Sequence, residues 1–367
     1  MPSAYDLHNY ADHMERIPIA VLGASGYSGI EATRILAQHP RAELRVVASD
    51  RWQGDTVEKR AGVRGAPGRL RYAPQERAAE LARECAAALL CTPVDASLQL
   101  APALLSAGLK VVDLSGAFRL ADAGTFRAAY GLEHPRPDLL RESVYGLPEL
   151  GGREAIARAR LVANPGCYPT AAALALAPLL RAGILAPEGV IVDAKSGTTG
   201  AGRKATEEMS FSEVMDDFRA YRVLRHQHAP EIGQSLGRAA GREVPLTFTA
   251  HLLPLRRGIL ATCYARLAPG RTAADAVTSL SHIYAAEPFL ELAPGADEVS
   301  LKAVVGTNRC QVGLAAAASG PDAGRIVVIS AIDNLVKGAA GQAVQNLNLA
   351  LGWPEASGLD TLRGFNP

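Results

Sequence analysis

The sequence predicts an α/β protein in which a Rossmann-type, doubly wound parallel sheet is joined to a second, central α+β domain. Three observations lead there. An apolar strand at Ile17–Leu22 runs into a glycine-rich turn and then a helix. Short apolar strands alternate with helical patterns as far as Leu114, the rhythm of a parallel sheet. Beyond Cys167 the strands lengthen and fewer helices separate them, which marks a second unit. The division expected is an N-terminal extension over 1–16, a first domain from 17–166 and 330–367, and a second over 167–329.

Composition narrows the class further. With 367 residues, 48% hydrophobic and 20% charged, the chain has enough apolar surface for a large core and two domains. Lys and Arg number 38 against 37 Asp and Glu, so no net charge recruits nucleic acid or anionic lipid. No apolar run reaches membrane-spanning length and no basic-then-apolar leader opens the chain, so a cytoplasmic setting is expected. Five cysteines without a C-x-x-C pair argue against a zinc site or a disulfide framework.

The first turn is Gly23-Ala24-Ser25-Gly26-Tyr27-Ser28-Gly29, and Ile30, Thr33, Ile35, Leu36 and Ala37 set the apolar face of the helix after it. Strand, glycine turn and helix in that order suit a dinucleotide whose pyrophosphate rests on the helix N-terminus. The spacing is G-x-x-G-x-x-G, not the standard G-x-G-x-x-G. Ser25 holds the place of the usual second glycine, and its hydroxyl and that of Ser28 are donors to phosphate. The alternative is a tight βα turn with no ligand.

A second strand over 44–48 ends in Ser49-Asp50-Arg51, about twenty residues past the glycines, where such folds choose their cofactor. An acidic residue there favours NAD, whereas Arg and Ser favour the 2′-phosphate of NADP. Both kinds are present. The reading adopted is NADP, held by Ser49 and Arg51 with Asp50 turned aside.

A helical stretch over 75–83, a strand over 87–91, a helix over 95–107 and a strand over 110–114 complete the first rhythm. The last strand opens into Asp113-Leu114-Ser115-Gly116-Ala117-Phe118-Arg119. Ligands of doubly wound sheets bind beyond this carboxyl edge, which makes Ser115 and Arg119 candidates to hold an anionic substrate group. A capping serine and a solvated arginine are the competing reading.

The strongest chemical signal is Ala163-Asn164-Pro165-Gly166-Cys167-Tyr168-Pro169-Thr170. Asn-Pro-Gly specifies a turn and the Ala/Leu-rich stretch after Thr170 a helix, so Cys167 belongs at a helix start. Unpaired N–H groups there favour the thiolate, and the expectation is a lowered pKa and a nucleophile. Cys85, Cys91, Cys263 and Cys310 lie in apolar stretches and read as buried.

A strand over 190–194 then opens into Lys195-Ser196-Gly197-Thr198-Thr199-Gly200-Ala201-Gly202-Arg203, a polar, basic loop suited to closing over a cofactor or phosphate, or to a plain connector. Arg225-His226-Gln227-His228-Ala229-Pro230-Glu231 follows, with Pro230 placed to start a helix. Histidines two apart do not share a helical face, and no carboxylates stand at ligand spacing, so no metal is expected. A histidine just ahead of a helix is suited to acid/base work near neutral pH. Strands over 247–253, 258–267, 310–317 and 326–332, a helix over 273–284 and a small-residue-rich final helix to about Leu351 complete the chain.

The segments at Gly23–Gly29, Asp113–Arg119, Tyr145–Glu149, Asn164–Thr170, Lys195–Gly202, His226–Glu231 and Asp333–Gly341 occur in the order seen in the N-acetyl-gamma-glutamyl-phosphate reductase family of arginine biosynthesis, and nearly the whole chain from Ile17 resembles it. Asn-Pro-Gly-Cys-Tyr-Pro-Thr is the most specific element. The resemblance implies a semialdehyde-dehydrogenase-like catalytic and dimerisation domain, with Cys167 as nucleophile and His228 as acid/base. It further implies that the glycine loop, Ser49, Asp50, Arg51, Ser196, Gly197 and Asn334 contact NADP(H). Glu149 joins Ser115 and Arg119 as a substrate-binding residue, and the partners implied are a small acyl phosphate and further copies of the chain.

The chemistry expected is attack of the Cys167 thiolate on an acyl phosphate, loss of phosphate, hydride transfer to the thioester, and collapse to the aldehyde with His228 supplying the proton. Two rivals are a carrier-protein-linked aminoadipyl-phosphate reductase of lysine biosynthesis and a silent NADP-sensing regulator. The second would have lost the thiol and imidazole, and both stand here.

Overall fold

The computed structural model describes residues 15–317 and 319–362. The expected extension therefore lies almost wholly outside the described residues, as do the last five positions of the chain. Strands β1 (Ile17–Leu22), β2 (Ala42–Ala48), β3 (Ala87–Leu90), β4 (Lys110–Asp113), β5 (Val144–Tyr145) and β6 (Leu161–Ala163) form one sheet in the order β2-β1-β3-β4-β6-β5. Every pairing in it is parallel. Strands buried on both faces need unbroken apolar runs, and Ile19–Leu22 and Ala87–Leu90 supply them. The order turns back on itself at β1, which opens a crevice between the carboxyl ends of β1 and β3.

The second sheet holds β7 (Leu185–Gly197), β8 (Arg219–Tyr221), β9 (Leu246–Leu253), β10 (Ile259–Leu267), β11 (Leu290–Leu292), β12 (Cys310–Ala316) and β13 (Arg325–Ile332), in the order β11-β12-β13-β10-β7-β9-β8. It is mixed: β7 and β9 are parallel, as are β11 and β12, and the remaining pairs are antiparallel. One face carries the helix Cys167–Arg181, which is apolar all round and buried at every position from Tyr168 to Leu180. Alanine at 171, 172, 173, 175 and 177 lets neighbours approach that helix from every side. Helices His228–Ala240 and Ala273–Tyr284 pack beside it. The closing helix Gly341–Ala350 returns to the first sheet, where Ala343, Val344 and Leu347 share a core with Ile19, Val21 and Leu36.

Four local expectations change. β7 runs through Gly197 because Lys195 and Ser196 pair with Leu260 and Ile259 on one side and His251 and Leu252 on the other, so the loop expected from Lys195 begins only at Thr198. The stretch over 75–83 is a helix broken into 3-10, α and 3-10 turns. The last helix is preceded by a π-helical turn, Val336–Ala340, the kind of widened turn often found at functional sites. Cys91 is only partly buried and lines the crevice, unlike Cys85, Cys263 and Cys310.

Candidate active site

The glycine loop is built by backbone needs first. Gly23 sits at φ +79°, and a Cβ there would lie 2.5 Å from the carbonyl oxygen of Cys91, so neither conformation nor space admits a side chain. At Gly29 a Cβ would meet the Gly23 oxygen at 2.5 Å, which lets the helix Tyr27–Ala37 press onto its own turn. Gly26 is different. A Cβ there would be in ordinary contact only, so its bare face looks onto open crevice, the surface a pyrophosphate requires.

The crevice has a volume of about 450 Å³ and is lined by Ser25, Gly26, Tyr27, Ser28 and Arg51 from the first sheet. Ala24 is fully buried, and its N–H donates to Ala48 rather than to the crevice. Asp50 Oδ1 accepts the Gln75 N–H at 2.6 Å, which commits its carboxylate away from the cofactor-choosing position. Ser49 is buried, and its Oγ has no hydrogen-bond partner among the described residues. A buried hydroxyl without a partner is costly unless a ligand completes it.

Cys167 is the first residue of its helix, at the sequence-expected place. The thiol departs from expectation in its ionisation. Burial pushes its pKa up to about 11, more than Arg119 and the backbone N–H groups of Cys167 and Tyr168 pull it down. The helix start favours the thiolate, but the helix is enclosed at every position from Tyr168 to Leu180. Desolvation therefore wins, and in the free site the sulfur is a thiol.

His228 opens the helix His228–Ala240, two residues earlier than Pro230 suggests. Burial first, and then the charge of Arg119, hold its imidazole well below the ordinary histidine range. Arg119 Nη1 stands 3.5 Å from His228 Nε2. Guanidinium nitrogens only donate, so Nε2 is assigned as acceptor and Nδ1 as the protonated nitrogen of a neutral ring. His226 in the same helix-start segment is also held low, at about 4, first by burial against Tyr168, Tyr221 and Phe248 and then by the charge of Arg222.

Gly166 joins the two groups. A Cβ on it would lie 2.6 Å from His228 Nε2 and 2.9 Å from Arg119 Nη1, so only glycine lets imidazole and guanidinium close on the turn before Cys167. Its N–H donates to Glu231 Oε1 at 2.8 Å, and Tyr145 Oη donates to the same oxygen at 2.8 Å. Glu231 Oε2 faces Arg119 Nη1 at 3.5 Å, both side chains being buried. Arg119 also donates to the carbonyls of Asn164 and Leu114, at 2.8 and 2.6 Å. The solvated arginine of the competing reading is absent: this one is enclosed beside the thiol and the imidazole.

The other expected site residues fall in different places. Ser115 donates to Asp113 Oδ2 at 2.7 Å and accepts the Ala117 N–H, so it caps its own turn and lines neither cavity. Glu149 is buried with Lys337 and Gln345, away from the crevice, and its Oε1 accepts from both. Neither geometry is that of a residue touching substrate; both carboxyl-edge polar groups are spent on fixing the turns. Ser196 and Gly197 line a second cavity with Cys167, not the glycine-loop crevice. Asn334 faces the crevice, while its amide accepts from Gly258 N–H at 2.8 Å and donates to Thr199 Oγ1 at 3.0 Å.

That second cavity, about 550 Å³, is lined by Cys167, Tyr168, Ser196, Tyr221, Arg222 and His228 among others. Cys167 and His228 line both spaces, so they stand where the crevice meets the cavity. Sequence reasoning missed Glu231, Tyr145 and Arg222. Glu231 lies three residues after His228 on one helix and so shares its face, a signal available from spacing. Its partners Arg119 and Tyr145 are distant in sequence and gave none.

The π-helical turn closes the site from below. A Cβ on Gly338 would lie 2.8 Å from Cys167 Cβ, and Asn164 Nδ2 donates to the Ala339 carbonyl at 3.2 Å. Gly338→Ala is expected to displace Cys167 by a few tenths of an ångström, lowering turnover at saturating substrates by about tenfold and the melting temperature with it, as overpacking costs roughly 1–3 kcal/mol. Steady-state kinetics beside a thermal melt checks this; unchanged turnover would show that the contact does not position the thiol.

Among the described residues, no cluster of three or more His, Cys, Asp or Glu is arranged to hold a metal ion, and no helix is long and apolar enough to cross a membrane. Residues 18–159 match a family model described as semialdehyde dehydrogenase, NAD binding domain, and residues 167–334 one described as semialdehyde dehydrogenase, dimerisation domain. The chain is 46% identical over 344 residues to N-acetyl-gamma-glutamyl-phosphate reductase of Symbiobacterium thermophilum, covering 94% of this chain and 97% of that protein. It is 45% identical over 348 residues to the reductase of that name from Magnetococcus marinus, with 95% and 98% covered. Among solved structures, aspartate semialdehyde dehydrogenase II of Vibrio cholerae superposes with a TM-score of 0.72 at 18% identity, covering 92% of this chain and 99% of that one, a likeness of fold.

Proposed function

The chain belongs to the N-acetyl-gamma-glutamyl-phosphate reductase family of semialdehyde dehydrogenases, and from that membership we propose how its own residues carry out the reaction. It reduces N-acetyl-glutamyl 5-phosphate to N-acetyl-glutamate 5-semialdehyde, releasing phosphate and consuming NADPH. The observation that carries the reading is the position of Cys167 and His228 at the junction of crevice and cavity. A thiol and a base there reach a carbonyl in the cavity while a dinucleotide lies along the crevice.

The residues of the crevice fit such a dinucleotide: a bare glycine face and Arg51 at the rim, with the unpartnered Ser49 hydroxyl two residues before Arg51 and Asp50 Oδ1 held by the Gln75 N–H. When bound, NADPH supplies the hydride that turns a Cys167 thioester into an aldehyde oxidation level. The remaining steps belong to the chain. Neutral His228 takes the proton as Cys167 sulfur attacks the acyl carbonyl, and phosphate leaves as the thioester forms.

The unusual resting pKa values set the timing. A thiol pushed up to about 11 beside an imidazole held low stays a neutral pair until substrate arrives. The phosphate of the substrate brings negative charge near Arg119, which offsets the charge that disfavours an imidazolium on His228. Proton transfer from sulfur to imidazole is thus favoured by the molecule about to be attacked. The N–H groups of Cys167 and Tyr168 stand at the helix start to stabilise the tetrahedral oxyanion. Arg222 lines the cavity, its Nη1 donating to Gln227 Oε1 at 2.6 Å and no described carboxylate pairing with it, which suits the substrate's free carboxylate.

The direct test is reduction of NADP by the protein with N-acetyl-glutamate semialdehyde, run with and without inorganic phosphate. Turnover that requires phosphate supports an acyl-phosphate product; turnover independent of phosphate would point to hydrolysis of the thioester and overturn the assignment. Assembly between copies through the uncovered face of the second sheet is part of the same reading, where Ile191 stands 42% exposed beside Tyr264. Sedimentation equilibrium at the monomer mass would overturn that.

A further inference from the structure

The turn that follows β7 carries a cation across to the first sheet. Thr198 N–H donates to the Leu255 carbonyl at 2.8 Å, and Thr199 Oγ1 donates to the Arg256 carbonyl at 2.6 Å, which anchors the turn Thr198–Ala201 to the second sheet. Gly202, at φ +82°, then reverses the chain. Arg203 emerges over the opposite wall of the crevice, its Cζ 4.7 Å from the ring centre of Tyr27 and 5.0 Å from that of Trp52. These two rings flank the glycine loop and the Ser49–Arg51 turn.

Stacking uses the faces of a guanidinium and leaves its in-plane N–H groups available for an anion. Arg203 forms no ion pair with a described carboxylate, and its Nε is buried without an acceptor among the described residues. Arg60 also reaches the Trp52 ring, at 5.4 Å, but Asp55 neutralises it at 2.6 Å. Three residues before Trp52 is Ser49, whose buried hydroxyl is likewise unpartnered. Arg51 alone stands exposed at the crevice rim, where water weakens its attraction for a phosphate. Arg203 and Arg51 both line the crevice and so can meet one dianion at this wall, with the Ser49 hydroxyl two residues before Arg51.

We propose that Arg203, supplied by the second sheet, is a specificity-determining cation for the 2′-phosphate of the dinucleotide, working with Ser49 and Arg51 from the first. The inference rests on the reading that the crevice holds NADP(H). Its consequence is that the phosphate distinguishing NADP from NAD is read by both sides of the crevice. The turn that reads it also holds Asn334 through Thr199, at 3.0 Å, so cofactor identity is coupled to the floor of the active site.

The test is calorimetric binding of adenosine 2′,5′-bisphosphate and of ADP to wild type, Arg203→Ala and Arg203→Lys, with NADPH and NADH fluorescence titrations beside it. Wild type is expected to prefer the bisphosphate and NADPH. Arg203→Ala is expected to weaken both by about tenfold or more while leaving ADP and NADH within about twofold, and Arg203→Lys to recover part of the loss. Retained ADP binding shows that the crevice is folded. Equal losses on both probes would make Arg203 a clamp between the two walls and overturn the proposal, as would no loss on either. A wild type that does not discriminate between the probes would instead sink the NADP reading itself, and this inference with it.

Discussion

Cys167→Ser is expected to bind NADPH as wild type does and to lose phosphate-dependent oxidation of the semialdehyde by about four orders of magnitude or more. The size follows from two features of the site. A serine hydroxyl in this enclosure faces the same burial that pushes the thiol up to about 11, starting from a far weaker acid. The resulting oxyester would also accept hydride less readily than a thioester. Two measurements separate this from a folding defect. Fluorescence titration with NADPH reports the crevice, whose glycine wall the substitution does not touch. Mass spectrometry after incubation with acyl phosphate in the absence of NADPH reports the covalent step: wild type should carry an acyl group on the peptide containing residue 167, and the serine variant none. An acylated serine variant with full turnover would remove Cys167 from its assigned role.

The two halves of that site differed in how far the sequence revealed them. The strand, glycine turn and helix over 17–37 were legible because each residue answers a local demand: an apolar strand, a positive φ at Gly23, close packing at Gly29. The place of Cys167 was legible for the same reason, since Asn-Pro-Gly can hardly be anything but a turn. Its ionisation was not. Whether a helix start raises or lowers a thiol pKa depends on how deeply the helix is buried, and the enclosure of Tyr168–Leu180 comes from the sheet and helices packed round it. Tertiary burial outweighed local dipole, so the expected direction reversed.

Polar residues at the carboxyl edge show the same limit. Ser115, Arg119 and Glu149 looked alike as candidates, yet Ser115 is consumed by Asp113, Glu149 by Lys337 and Gln345, and only Arg119 reaches the thiol and imidazole. The partner that holds Arg119 there is Glu231, 112 positions away, and no local pattern announces it. Ser196 and Gly197 moved from cofactor loop to strand end because strand pairing on both sides extends β7 past the point where composition turns polar.

The reversed thiol pKa gives His228→Asn a signature that loss of activity alone lacks. Asparagine fills the space but accepts no proton, so turnover near neutral pH should fall by about a hundredfold or more. The shape of the pH profile should change as well. In wild type the base is neutral from neutral pH down to well below the ordinary histidine range, so activity is lost on the acid side only once His228 itself becomes protonated. In the variant no base remains, and attack depends on the fraction of Cys167 already ionised. A thiol with its pKa near 11 is protonated below that value, so this fraction, and the residual rate, should rise roughly tenfold for each pH unit gained on approaching it. Wild type should stay nearly flat over the same alkaline range. A variant whose profile parallels that of wild type would show that His228 does not take the proton from sulfur, even if turnover fell, and would reassign the loss to the packing of the ring against Gly166 and Arg119.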